Sequence, residues 1–351
     1  MTQDSGQGQP PGRPTVADFT DAVRFAVRAP SIHNTQPWRW ELAGGVLSLR
    51  ADRSRQLAVA DPDGRAVLLS CGGALSLAVL RLAAAGWVTE VARLPEPGDR
   101  DLLARVRVIG RQAPDPVTVA RAAAAERRRT ERRPFRPDPL PAEVLDRLAA
   151  AAADDAGVYG FVVEQADQRL DLAVVMSWAD KVESTDPAYR AELARWVGQQ
   201  AEAAGEGVPA SAVPHVEPGR PRHTDVPVRD FEAGTRGAQE LAGEGDEQPA
   251  YLVLLSRGDG PEQRLRAGEA YLRVSVEAER LGLASSAMTQ ALDLPAVRER
   301  ARTLMAWADH PQMILRVGYP PTTSAPVEST PRRPLSAVLT VHDEPTDQPG
   351  P

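Results

Sequence analysis

Two helical stretches, 70–86 and 267–282, constrain the fold of this chain because they resemble each other. Both are rich in small and apolar residues. Each ends in a glycine, Gly86 or Gly282, twelve positions after an alanine (86 − 74 and 282 − 270). Each stretch also has a predicted helix before it and a predicted strand after it. Matching helices in matching surroundings predict two copies of one α+β unit.

The segment 29–40 is a second constraint, because it sets polar side chains among two prolines and two tryptophans. Pro30 and Pro37 disfavour helix for the residue before each, so the helix predicted over 16–28 must end here. Alternation of apolar and polar residues begins at Trp38 and indicates a strand. A rigid loop dense in short hydrogen-bonding side chains is suited to a flat polar ligand, but an ordinary polar connection would look the same.

The chain has 351 residues, 42% of them apolar, enough for two ordinary domains or one composite domain. We expect a disordered tail over 1–15, a first unit over 16–116, a second unit over 117–340 and a tail over 341–351. Within the second unit, the Gly- and Pro-rich stretch 205–245 is typical of a lid or a disordered insert. We favour a lid, because a Val-Arg-Asp-Phe run within it could anchor it.

Charge and cysteine content narrow the function classes. The formal net charge is −7 and the isoelectric point near 5.4, so we expect no nucleic-acid partner. Lys181 is the only lysine, so any anion site must be built from arginines, backbone N–H groups or hydroxyls. Cys71 is the only cysteine, which rules out an internal disulfide and agrees with a reducing compartment.

The sequence predicts neither a signal peptide nor a membrane anchor. Residues 1–14 have no apolar core of the kind that a signal peptide needs. The most apolar run, 67–87, contains Arg81 and many small residues, so it predicts a buried helix and not a membrane span. We therefore expect a cytoplasmic protein with no membrane partner.

The Pro-Ser-x-x-Asn-x-Gln-Pro-Trp motif at 30–38 resembles the flavin-contacting loop of the nitroreductase family. With His33, Trp40 and later segments, the chain is most similar to the Acg-type branch, in which two nitroreductase halves are fused. The resemblance spans about 16–340. It implies an α+β fold with mixed, mainly antiparallel sheets flanked by helices, in two halves that form a pseudo-dimer.

The two halves carry different motifs. Only the first has the 30–38 loop, and only the second has the Arg-Arg-Thr-Glu-Arg-Arg cluster at 128–133. In nitroreductase homodimers each FMN lies between subunits, which contribute these two elements separately. The resemblance therefore implies one FMN per chain, held between the halves, with the twin site lost.

The resemblance assigns three groups of residues to FMN and assigns none to catalysis. Guanidinium groups suit the phosphate because they form paired, charge-assisted hydrogen bonds, and hydroxyls add donors. The implied ring contacts are Pro30, Ser31, Ile32, Asn34 and Gln36. The implied phosphate or ribityl contacts are Arg128, Thr130, Arg132, Arg332 and Arg333, and those near N5 are Thr289 and Gln290.

Each group also has a structural alternative. A basic cluster is typical of a solvated helix C-terminus, and the Arg-Pro run near 332 is typical of an exposed tail. Gln36 is suited to holding the loop, and His33 fits a structural role better than proton donation. Thr289 and Gln290 stand where the family has a Glu-Gly pair. A backbone amide can serve N5 with any side chain, but the missing carboxylate leaves NAD(P)H handling and substrate range open.

Taken together, these features predict an FMN-dependent oxidoreductase of the nitroreductase type. It would pass hydride through flavin N5 to an electron-poor small molecule, such as a quinone, a nitro compound or a biosynthetic intermediate. NADH or NADPH would be a transient reductant on the same face, since no Gly-x-Gly-x-x-Gly element follows a predicted strand. The alternatives are an FMN-storing protein with a closed lid and a flavin-destroying or oxidase-type enzyme. We expect no metal site, because the histidines lack paired ligand spacing, and either a monomeric pseudo-dimer or a homodimer.

Overall fold

The computed structural model describes most of the chain. The described residues are 12–198, 202–213, 215, 225–229, 231, 247–322 and 327–342. Most of the expected tail over 1–15, much of the expected lid over 205–245 and nearly all of the tail over 341–351 lie outside these residues.

The described residues form both helices and strands. The helices are α1 (Val16–Ala26), α2 (Arg65–Ala84), α3 (Pro116–Arg127), α4 (Ala142–Ala152), α5 (Ala166–Thr185), α6 (Pro187–Arg195), α7 (Pro261–Arg280), α8 (Gln290–Asp293) and α9 (Pro295–Leu304). The strands are β1 (Trp38–Ala43), β2 (Val46–Ala51), β3 (Trp87–Arg93), β4 (Leu102–Arg111), β5 (Val158–Val163), β6 (Ala250–Ser256), β7 (Ala284–Ala287), β8 (His310–Gly318) and β9 (Leu339–Val341).

The strands form two sheets with the same internal order. The first sheet runs β3-β4-β2-β1-β9 and the second runs β7-β8-β6-β5. Neighbouring strands are antiparallel, except that β9 joins β1 in parallel. In each sheet the third strand along the chain lies at one edge, followed by the fourth, second and first. This arrangement confirms the expected α+β class with mixed, mainly antiparallel sheets.

The helices α2 and α7 cross at two glycines. A Cβ atom on Gly72 would collide with the carbonyl oxygen of Leu265, and one on Gly268 would collide with that of Leu69. Both pairs of equivalent residues are 196 positions apart (268 − 72 and 265 − 69), the same offset that separates the closing glycines of the sequence repeat. Reciprocal contacts of this kind are typical of a two-fold interface. The sequence repeat therefore corresponds to a pseudo-two-fold axis at this crossing.

Helix α2 is the buried helix that the sequence predicts over 67–87. It is the one helix in the described parts of the chain that is long and apolar enough to cross a membrane, but 72% of its most apolar window is buried inside the protein. Cys71 on this helix is buried, and its thiol donates to the carbonyl of Pro37 at 3.2 Å. Burial raises the pKa of that thiol, so its environment is that of a structural cysteine.

Two consecutive helices, α5 and α6, follow β5 in the second half. The helical run starts at Ala166 and divides at Asp186, because Pro187 disfavours helix for the residue before it. Asp186 then caps α6 by accepting from the amide of Ala188 at 2.8 Å. The stretch after α7 contains β7 and the short helix α8.

Candidate functional site

A cleft opens where the end of α3 meets the loop after α1 and the segment 327–332. Its empty space is about 730 Å³, open mouth included. The second half contributes the basic cluster and the first half contributes the 30–38 loop. Seven of the predicted flavin contacts line this cleft: Pro30, Ser31, Asn34, Arg128, Thr130, Arg132 and Arg332.

The cleft is strongly basic. Its lining contains five arginines and a single acidic residue, Glu328. Burial lowers the pKa of Arg132 to about 10, and burial together with the neighbouring arginines lowers the pKa of Arg332 to about 9. Guanidinium groups held this close together favour a bound anion, because the anion would offset both their desolvation and their mutual repulsion.

Three of the five arginines donate to backbone carbonyl groups at the ends of helices. Arg28 and Arg129 donate to the carbonyl of Glu126 at 2.6 and 2.9 Å, near the C-terminus of α3. Arg332 donates to the carbonyl of Val27 at 2.7 Å, just past the end of α1. Cations are favourable at helix C-termini, where the last carbonyl groups lack partners. These three side chains therefore cap helices.

The other two arginines have donors to spare. Arg128 is only 6% exposed, and its Nη1 has no hydrogen-bond partner among the described residues. Arg132 donates from Nη1 to the carbonyl of Ala212 at a long 3.4 Å. Thr130 lies between them in the sequence, and its backbone forms a parallel β-bridge with Ser285 of β7. A buried guanidinium without a partner is costly, so Arg128, Thr130 and Arg132 have the chemistry of an anion site.

The loop that follows α1 is held in a strained conformation. His33, Asn34 and Gln36 have positive φ values of 45°, 55° and 51°, which are uncommon for residues other than glycine. The Ser31 hydroxyl accepts from the amide of Gln36 at 2.9 Å, and the amide of Ile32 donates to the hydroxyl of Ser70 on α2 at 3.4 Å. Strain of this kind persists only where the surroundings fix the backbone.

The amide side chains of this loop are engaged by other parts of the chain. Asn34 donates from Nδ2 to the carbonyls of Gly207 at 2.9 Å and Pro331 at 3.0 Å. Gln36 is fully buried and donates from Nε2 to the carbonyl of Gly205 at 2.9 Å. Gln36 therefore holds the loop against its neighbours, which is the structural alternative considered for it.

Five predicted contacts lie outside the cleft. Ile32 packs against a separate hydrophobic cluster that includes Leu57 and Val208. The guanidinium of Arg333 donates to the carbonyl of Ala337 at 3.0 Å. The complete set outside the cleft is Ile32, Gln36, Thr289, Gln290 and Arg333.

Thr289 and Gln290 precede and begin the short helix α8. The Thr289 hydroxyl donates to Asp293 Oδ2 at 3.1 Å. Gln290 is buried and donates from Nε2 to the carbonyl of Pro227 at 3.2 Å. Both side chains are thus bound to protein groups, and any contact with a ligand would have to come from the backbone.

Part of the expected lid lies between the 30–38 loop and α8. Arg229 is paired with both Glu183 and Asp293, and its Nη1 is 3.2 Å from Nε2 of His33. The ring of Phe231 stands edge-on to that of His33 at 6.0 Å. Arg229 therefore contacts the first half and α8 at once.

The His33 side chain is suited to a structural role. It is buried, and burial together with Arg229 and Arg132 holds its pKa well below the usual value. The imidazole is therefore neutral near pH 7, and its Nε2 accepts from Arg229. Because Nε2 accepts, the proton of the neutral ring lies on Nδ1, which has no hydrogen-bond partner among the described residues.

Sequence reasoning missed several residues of the cleft. Arg28 directly precedes the predicted loop, and that adjacency was the available signal. Val208, Ala212 and the segment 327–330 carry no local motif that points to a site. They reach the cleft only because distant parts of the chain fold onto it.

Curated relatives cover almost all of the chain. A protein of Mycobacterium tuberculosis strain H37Rv, named "Putative NAD(P)H nitroreductase", is 39% identical over 327 residues, 93% of this chain and 92% of its own. The M. tuberculosis protein named "Putative NAD(P)H nitroreductase acg" is 34% identical over 325 residues, 91% of this chain and 94% of its own. No family model matches the sequence.

Solved structures with a similar arrangement are more distant. A nitroreductase with bound FMN from Desulfitobacterium hafniense is 13% identical, with a TM-score of 0.39 over 64% of this chain and 98% of its own. An iodotyrosine deiodinase bound to FMN and 3-iodo-L-tyrosine is 18% identical, with a TM-score of 0.38 over 61% of this chain and 95% of its own. The curated relatives decide the family: the chain belongs to the nitroreductase family, together with the Acg proteins.

Proposed function

We propose that this chain is an FMN-dependent NAD(P)H oxidoreductase that reduces an electron-poor small molecule, such as a quinone, a nitro compound or a biosynthetic intermediate. The observation that carries the proposal is the buried guanidinium of Arg128, which lines the cleft together with Thr130 and Arg132. Its Nη1 has no hydrogen-bond partner among the described residues. A dianionic phosphate would supply the missing acceptor. The relatives' names support NADH or NADPH as the reductant.

The residues around the cleft divide the work of holding FMN. Arg128, Thr130 and Arg132 would bind the phosphate, and Pro30 and Ser31 would lie along the ribityl chain and ring. FMN would supply N5 as the atom that accepts and passes on a hydride. The backbone at Thr289 and Gln290 would face that atom, since the side chains there are engaged elsewhere.

The proposal implies one FMN for each chain. Phosphate-binding groups come from the second half and the loop comes from the first, so the chain supplies one complete set. Whether the protein works as a monomeric pseudo-dimer or as a homodimer, the ratio of FMN to chain should be one.

A spectrum of the purified protein tests the proposal most directly. Protein reconstituted with FMN should bind one equivalent and show the oxidised flavin bands, and anaerobic NADH or NADPH should bleach them within seconds. Material that stays colourless after reconstitution with FMN would overturn the proposal.

A second candidate, an FMN-storing protein, is favoured by one specific observation. The carbonyl groups of Gly205 and Gly207 take hydrogen bonds from the Gln36 and Asn34 amides, and Phe231 packs against His33. A segment that forms hydrogen bonds with the side chains predicted to contact the flavin ring would also keep substrates away from a bound flavin. Flavin that binds, resists NADH and NADPH, and is readily reduced by dithionite would favour storage.

A further inference from the structure

Arg332 uses its guanidinium to close the end of helix α1. Its Nε donates to the carbonyl of Val27 at 2.7 Å, and its Nη2 donates to that of Arg28 at 3.1 Å and, more weakly, to that of Ala29 at 3.4 Å. These carbonyl groups follow the last turn of α1 and have no helical partner of their own. One side chain from near the C-terminus thus fixes the point at which the site loop leaves the helix.

The same guanidinium orients Asn34. Its Nη1 donates to Oδ1 of Asn34 at 3.1 Å and to the carbonyl of Pro331 at 2.9 Å. With Oδ1 committed to Arg332, the amide nitrogen of Asn34 must face the other way, toward Gly207 and Pro331. Arginine has five N–H donors, and acceptors of this chain engage all three nitrogens of Arg332. Little donor capacity is left for a phosphate.

The loop needs such support from outside. Asn34 and Gln36 both have left-handed backbone conformations, which cost of order 1–3 kcal/mol each and persist only where the surroundings fix them. The neighbouring residue Arg333 contributes as well, because its backbone amide donates to Oε1 of Gln36 at 2.9 Å. The C-terminal segment thus holds both strained residues through consecutive positions of one motif.

We infer that Arg332 is a positioning residue, which sets the Asn34 loop for the ring side of the flavin site and does not bind the phosphate. The inference rests on the proposed function, because it assigns a role within that FMN site. It separates two arginines that line the same cleft. Arg128 keeps a donor without a partner among the described residues, whereas every nitrogen of Arg332 is engaged by the protein.

FMN and riboflavin distinguish the two roles, because they share the ring and ribityl chain and differ only in the phosphate. Each purified apoprotein is titrated with both ligands and the quenching of flavin fluorescence gives the Kd. We expect Arg332→Gln to weaken FMN and riboflavin by the same factor, about tenfold, since lost charge-assisted hydrogen bonds act through the loop. The matched variant Arg128→Gln should weaken FMN about tenfold and leave riboflavin within twofold.

A second variant covers the possibility that Arg332→Gln does not fold. Arg332→Lys keeps the charge at the end of α1 but lacks the planar fork that reaches Asn34, so the equal loss for both ligands should persist. In an Asn34→Leu background, Arg332→Lys should have little further effect on riboflavin, because both changes disturb the same contact.

The possible outcomes are distinguishable. If Arg332→Gln or Arg332→Lys weakens FMN alone while riboflavin binds as in the wild type, Arg332 is a phosphate ligand and the inference is overturned. If the wild-type protein binds neither flavin, the proposed function fails and the inference fails with it. Equal losses for the two ligands, with an FMN-selective loss in Arg128→Gln, support both.

Discussion

The connection from α1 to β1 runs over residues 27–37, whereas the equivalent connection from α4 to β5 runs only over 153–157. The longer connection has room for the strained loop that lines the cleft. The shorter one is a tight turn, in which Asp154 accepts from the amides of Ala156 and Val158 at 3.0 Å each. Two halves of the same topology thus differ at the position that matters for a flavin.

The C-terminal ends of α1 and α4, the helices before these connections, differ in the same way. At the end of α1, Arg332 reaches in from the C-terminal segment and also touches Asn34. At the end of α4, Arg273 of α7 donates to the carbonyls of Ala151 and Ala152 at 3.0 and 2.9 Å. An arginine closes each helix, but only the first also organises a loop, which supports one site per chain.

The largest expected effect is a loss of stability, and it tests the crossing of α2 and α7, to which the two halves contribute equally. Gly72→Ala and Gly268→Ala should each destabilise the protein by about 3 kcal/mol, and by similar amounts, because each new Cβ meets a backbone carbonyl of the facing helix. A thermal melt should show a drop of roughly 4 °C for either change.

The control for these glycine variants is Gly98→Ala, since a Cβ there meets nothing within 4 Å. If only one of the two helix variants is destabilised, the crossing is not equivalent from the two sides, and the pseudo-two-fold description of α2 and α7 breaks down.

The next largest effect is a loss of FMN affinity, and it tests the cleft, to which the two halves contribute different elements. Arg128→Met should weaken FMN binding about tenfold or more, because a charge-assisted hydrogen bond contributes roughly 1.5–3 kcal/mol. Arg121→Met, an exposed position on the same helix α3, should leave the Kd unchanged. Titration should also give one FMN per chain; two equivalents would mean that the second half retains a site of its own.

A smaller effect concerns the segment that the second half places over the first. Phe231 packs beneath the guanidinium of Arg132, 5.0 Å from the ring centre, a contact of about 0.5–2 kcal/mol. Removing it with Phe231→Ala should raise the FMN association rate constant by roughly threefold to tenfold in stopped-flow experiments, because Arg132 is released.

The control for this variant is Trp178→Ala, which removes a similar contact with Arg300 at 4.8 Å in another part of the protein. Its association rate should match the wild type. An unchanged rate in Phe231→Ala would show that this segment does not compete with the cofactor, and would weaken the case for a storage function.

The smallest effect is a difference in pH dependence at the first turn of α2. Asp61 accepts from the amides of Ala66 and Val67, and burial raises its pKa to about 7. Since this exceeds the value in the unfolded chain, its contribution to stability is present below about pH 4 and is lost as pH rises toward 7. Asp61→Asn should therefore gain stability relative to the wild type over that range, by on the order of 1 kcal/mol or about 2 °C.

Asp115→Asn at the exposed start of α3 is the control. The hydrogen bond from the amide of Thr118 lowers the pKa of Asp115, so its contribution to stability is lost as pH falls and does not decline between pH 4 and 7 as that of Asp61 does. Helix α7, the counterpart of α2 in the second half, begins at Pro261 after a glycine and has no side-chain cap. If the difference in stability between Asp61→Asn and the wild type does not change between pH 4 and 7, this contrast between the two halves is removed.

The sequence was sufficient for the fold class and for seven of the residues that line the cleft. The glycine repeat predicted two related units, and the motif and basic cluster that resemble the family meet at one cleft through Ser31, Asn34 and Arg128. These features are local or periodic, so they can be recognised along the chain.

The sequence could not show which side chains would be free. Arg128 and Arg332 look alike as isolated arginines, and only the position of the end of α1 decides that the second is engaged. The roles of Gln36 and Arg229 likewise depend on segments far away in the chain. Such assignments depend on tertiary contacts, which a motif does not encode.

The crossing of α2 and α7 has an evolutionary consequence. In an assembly of identical subunits every inherited insertion appears twice and must be tolerated twice. Here β1 and β2 join through a turn at Gly44 and Gly45, while their counterparts β5 and β6 join through residues 164–249. A chain that carries both copies can therefore lengthen one connection while the other stays a short hairpin, and the shared crossing of α2 and α7 need not change.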